Sequence, residues 1–140
     1  MNTIQVVSWV AFVFLLATVG LGIGNAIRWA RSGAAQVPFG RILAHGAVQC
    51  FAGVLWVIFV LSAAPLIGWA AFIVITVGQV LGDTLMLTSH RARHPQQPSG
   101  YGAAAAATLS FERPTSALHA ILGAVAWFGM LGICIAISVM

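Results

Sequence analysis

Four continuous apolar runs, 4–27, 41–63, 66–88 and 117–140, fill most of the chain. A hydrocarbon core about 30 Å thick needs about 20 apolar helical residues, and each run is long enough. Strands are disfavoured, because barrel segments are about ten residues long and alternate in polarity, whereas these runs are unbroken and rich in Gly, Ala, Leu and Val. The pattern predicts one all-α domain, an integral membrane four-helix bundle in up-down-up-down order. The one sizeable polar connection is 89–116. Within it, His90-Arg91-Ala92-Arg93-His94 reads as a continuation of the third helix, 95–100 as a break, and 103–107 as a helical turn or two. Pro114 restarts helix, with Thr115 or Ser116 as candidate caps.

Composition agrees: 61% of residues are hydrophobic and 6% charged, against about 25% charged in a soluble domain. Lipid must cover such a surface. The first run is read as a retained helix rather than a signal peptide, since its start carries no positive charge and Arg28 and Arg31 follow it. All six arginines fall in or beside two connections, first to second run and third to fourth. The net charge of +4 therefore sets topology, and no nucleic-acid role is read from it. The expected location is a bacterial plasma (inner) membrane, crossed several times. Cys50 and Cys134 lie inside apolar runs, where cysteine acts as a small hydrophobe, and no disulfide is expected.

The chemistry resides in polar residues inside the runs. His45 and Gln49 are four apart, as are Gln79 and Asp83, so each pair shares a helix face. Polar groups in hydrocarbon turn toward the bundle interior. His45 follows Arg41 by four residues and His119 follows Ser116 by three, which sets both rings about 5–6 Å below the helix starts at 1.5 Å per residue. Parallel helices two and four would face them across the core, an arrangement suited to two axial ligands of one haem b. Gly53 and Ala52, and Gly123 and Ala126, would offer small faces to the macrocycle. Arg41 and Arg113 stand where propionates would emerge, and Gln49 or Asp83 could orient an imidazole. The competing expectation is interhelical hydrogen bonding without any ligand.

Ala44-His45 with Gly53, and Leu118-His119-Ala120-Ile121-Leu122-Gly123, resemble small bacterial four-helix membrane proteins with the cytochrome b561-like pattern of helix-start histidines. The resemblance implies electron transfer, or a subunit of a membrane redox assembly, with at most one haem. Arg41, Ala44, His45 and Gln49 also resemble part of the second helix of membrane-associated glutathione transferases, with Gln49 in place of a carboxylate. Asp83 leaves a small transporter as a further alternative, although pairing with an arginine or histidine is the simpler expectation. His90 and His94 are expected to be solvated.

The small-residue spacing in Gly20-Leu21-Gly22-Ile23-Gly24 and the five tryptophans fit an accessory subunit with a membrane protein partner, or a homo-oligomer. The arginine asymmetry places both termini outside the cytoplasm. A reporter active only in the cytoplasm should be silent when fused after Met140 and active when inserted after Gly100; activity after Met140 would overturn the assignment.

Overall fold

The computed structural model describes residues 2–31, 39–96 and 100–139. It is all-helical: α1 (Thr3–Arg31), α2 (Phe39–Ser62), α3 (Pro65–Arg93), α4 (Tyr101–Leu109) and α5 (Pro114–Ser138). Four of these, all but α4, are long and apolar enough to cross a membrane. The expected continuation of the third helix through His90 and Arg93 is present, and the alanine-rich segment forms α4. Part of the expected break, 97–99, lies outside the described residues, as does Met140.

Helix boundaries follow local chemistry. Pro65 and Pro114 sit in the first turns of α3 and α5, where a missing N–H costs nothing. Ala63 takes a left-handed conformation, φ 54°, and its N–H reaches Phe59 O at 2.8 Å, closing the end of α2 before the two-residue link. Neither expected cap acts on α5: Arg113 is its N-cap residue without a side-chain bond, and the Thr115 hydroxyl instead accepts from the Arg28 guanidinium. That bond ties the end of α1 to the start of α5.

Each long helix packs on two others: α1 on α2 and α5, and α3 on α2 and α5, with the α1–α5 and α2–α3 faces the more extensive. The core is built from small residues beside large ones. Ala52, Ala71 and Ala126 are fully buried with Trp56 and Met130, and the Trp56 indole N–H donates to Ser8 O at 3.0 Å. Gly68 admits the Phe59 ring, whose nearest carbon lies 3.1 Å from where a Cβ would stand. By contrast, Gly20 and Gly24 meet nothing within 4 Å. The small residue of that stretch used inside the bundle is Gly22. Both cysteines are free thiols, Cys50 outward and Cys134 buried.

The chain is an internal repeat. Trp9, Ala11, Phe12, Leu21, Gly22 and Arg31 of α1 recur at the same spacing as Trp69, Ala71, Phe72, Leu81, Gly82 and Arg91 of α3. Burial repeats with them. The buried residues of α1, namely Ser8, Ala11, Leu15 and Thr18, correspond to Gly68, Ala71, Ile75 and Gly78 of α3. When His45 is set against His119, buried Gln49, Ala52, Trp56, Phe59 and Val60 of α2 fall on buried Gly123, Ala126, Met130, Ile133 and Cys134 of α5. The α1–α2 pair and the α3–α5 pair share one pattern of buried positions.

Candidate functional site

His45 on α2 and His119 on α5 meet although their helices share no backbone contact: the ring centroids are 6.2 Å apart, with ring planes at 76°. Each ring is held by a helix of the other repeat. His45 Nδ1 lies 2.8 Å from Gly78 O on α3, and His119 Nδ1 lies 2.8 Å from Thr18 O on α1. A carbonyl can only accept, so both Nδ1 atoms carry the proton, and in the neutral rings both Nε2 atoms keep a lone pair.

The glycines explain how an imidazole reaches a carbonyl within a helix. Regular α-helical bonding gives Thr18 O and Gly78 O to the N–H groups four residues on, those of Gly22 and Gly82. Each oxygen has a second lone pair. A side chain at the fourth residue would stand in front of it. A Cβ on Gly22 would fall 3.0 Å from His119 Cε1, and one on Gly82 would fall 3.0 Å from His45 Cε1. The two notches are alike, as the repeat requires.

One turn deeper lies an amide layer formed by Gln49 of one repeat and Gln79 of the other. The Gln49 side-chain N–H donates to Gln79 Oε1 at 3.4 Å. Gln49 is 8% exposed, and its Oε1 has no hydrogen-bond partner. Gly78 leaves the room for it: a Cβ there would come within 2.8 Å of the amide. Gly123, expected to offer a bare face, is instead opposed by Thr18 Cγ2 at 3.5 Å and the Gln79 amide at 3.7 Å, measured from the Cβ it lacks. Gly53 likewise faces Leu15 and Phe12.

Arg41 and Arg113 are exposed near the starts of α2 and α5, four and six residues before the two histidines. Asp83 differs from expectation. Its carboxylate accepts from the Tyr101 hydroxyl at 3.4 Å rather than from an arginine or a histidine, because α4 folds back on α3 and presents Tyr101 there. The charge of Asp83 raises the tyrosine hydroxyl above its ordinary value near 10. His90 is buried rather than solvated, with its ring 4.9 Å from that of His94. Among the described residues no group of three or more His, Cys, Asp or Glu side chains is placed to hold a metal ion.

Comparison with protein-family models, curated proteins and solved structures gave no match. The site rests on its own geometry.

Two outcomes follow. Gly82→Val and Gly22→Val should each lower unfolding stability in detergent by about 1–3 kcal/mol through overpacking. Combining Gly82→Val with His45→Ala should recover part of that loss, a coupling of about 0.5–3 kcal/mol; additive losses would show that the notch does not serve the ring. Tyr101 is the one tyrosine of the chain, so tyrosinate absorbance reads it alone. Asp83→Asn should move its titration midpoint down toward 10, and an unmoved midpoint would exclude the contact.

Proposed function

We propose that this chain is a small b-type cytochrome-like membrane protein in which His45 and His119 are the axial ligands of one haem b. The observation that carries the reading is the matched pair of rings, each with Nδ1–H on a backbone carbonyl and Nε2 without a hydrogen bond among the described residues. Ligating imidazoles characteristically donate their second N–H in this way, which fixes the tautomer and raises ligand basicity. The donor set therefore fits bis-imidazole ligation.

Within this reading, haem supplies one-electron transfer. Thr18 O and Gly78 O hold the two rings in the ligating tautomer, and the notches at Gly22 and Gly82 prevent them from rotating freely. The Gln49–Gln79 amide layer and the alanine-rich core below it keep water from the deeper side. Arg41 and Arg113, at the helix starts, are the cations available to propionates. We further propose the up-down-up-down order with both termini outside the cytoplasm of a bacterial inner membrane. Contacts that run in opposite sequence order support the former, such as Gly68 with Phe59 and Gly82 with His45; the arginine asymmetry supports the latter.

A second reading has its own support. The same imidazole bonds join α2 to α3 and α5 to α1, so the histidines also act as interhelical pins in a cofactor-free accessory subunit. Haem content separates the two. Protein expressed with ample haem should carry about one haem per chain, and His45→Ala and His119→Ala should each lose most of it. His90→Ala and His94→Ala should retain it. Folded wild-type protein without haem would leave the pins as the role of the pair.

A further inference from the structure

His90 and His94 form a second pair of imidazoles, one turn apart at the end of α3. Residues four apart share a helix face, and the backbone closes the turn between them, since His94 N–H donates to His90 O at 3.0 Å. The ring centroids lie 4.9 Å apart with planes at 39°. His90 is 2% exposed, so packing fixes its ring. His94, the C-cap residue, is half-buried and keeps one side open to solvent.

That separation has a chemical meaning. A first-row transition ion bonds an imidazole nitrogen at about 2.0–2.1 Å, which places the ring centroid about 3.2 Å from the ion. Two imidazoles side by side on one ion, at angles from square-planar to tetrahedral, therefore have centroids about 4.5–5.2 Å apart. His90 and His94 fall inside that range. His45 and His119, at 6.2 Å, match instead the roughly 6.4 Å of rings on opposite sides of one metal. An imidazole can bond the protein through one ring nitrogen and a metal through the other, so the packing around His90 is compatible with ligation. Charge narrows the choice of ion. Arg91 and Arg93 flank the pair, each about 60–100° around the helix from the two histidines, and the Arg93 Nε–H donates to Ser89 O at 3.0 Å. These cations oppose a loosely held hard ion such as Mg²⁺ or Ca²⁺, which also needs oxygen ligands that the pair lacks. Imidazoles suit Cu²⁺, Ni²⁺ or Zn²⁺.

We propose that His90 and His94 chelate one divalent transition-metal ion, Cu²⁺ most tightly, with water in its remaining positions. Each part of the site answers a need of that ion. The closed turn sets the spacing of the rings, the buried ring is held in place, and the open side of His94 admits the ion and its waters. Two protein ligands make the ion exchangeable, since a structural zinc takes four. Binding here is independent of what His45 and His119 hold.

The test titrates Cu²⁺, Zn²⁺ and Mg²⁺ into the full chain, purified in detergent without a polyhistidine tag, by calorimetry. Electron paramagnetic resonance of the copper-loaded protein then reads the ligands. The unaltered chain should bind Cu²⁺ with hyperfine structure from two imidazole nitrogens, Zn²⁺ more weakly, and Mg²⁺ not at all. Losing one outer hydrogen bond to a metal ligand already costs about 10–100-fold in affinity, so His94→Ala and His90→Ala should each weaken this Cu²⁺ site at least tenfold. Absence of saturable Cu²⁺ binding, undiminished affinity in His94→Ala, or a two-nitrogen signal that persists in His94→Ala at equal copper would each overturn the proposal. His94 is half-buried at the helix end, so its variant decides the matter even if His90→Ala does not fold.

Discussion

An imidazole inside a helical bundle must place its N–H on an acceptor, yet the carbonyls around it are already engaged in helical bonds. The second lone pair of a carbonyl is the available answer, and the two imidazoles reach it where the residue four positions on has no side chain. Gly22 and Gly82 meet that condition for His119 and His45. Much else depends on it. The close approach of α1 to α5 and of α2 to α3, the level placement of the rings and the tautomer of both histidines follow from one local rule applied twice.

Repetition explains why the rule appears twice and shows where the halves have diverged. The pair α1–α2 and the pair α3–α5 share buried positions, notches and the Trp-x-Ala-Phe start. Polar side chains are unequally divided: Gln49, Gln79 and Asp83 stand where the other repeat has Gly123, Val19 and Ile23. The histidine pair is shared equally by the two halves, the amide layer joins Gln49 of one to Gln79 of the other, and the Asp83–Tyr101 contact belongs to the second. The α4 helix between α3 and α5 brings Tyr101 to α3.

The four long helices were legible because twenty-residue apolar runs have few other solutions in lipid. The shared depth of His45 and His119 was legible as well, since rise per residue converts sequence position directly into height. The notches were not, because Gly22 and Gly82 lie on helices other than those of the histidines they receive. Attention to Gly20 and Gly24 followed the small-residue spacing and chose a face that meets nothing within 4 Å. The repeat itself was present in the sequence, as Trp9, Phe12 and Gly22 against Trp69, Phe72 and Gly82, but the inserted α4 shifts its second helix out of register. Pairing of Asp83 with Tyr101 depends on how α4 folds back, which apolar periodicity does not record.

We propose that His45 and His119, their Nδ1–H groups fixed by Gly78 O and Thr18 O, together hold one haem. The most direct measurement is the reduced-minus-oxidised absorption spectrum of the full chain purified in detergent after expression with ample haem. Two strong-field imidazole ligands predict a low-spin iron with sharp α and β bands on reduction. A folded protein with no such bands, or with the spectrum of a high-spin five-coordinate haem, would contradict the account.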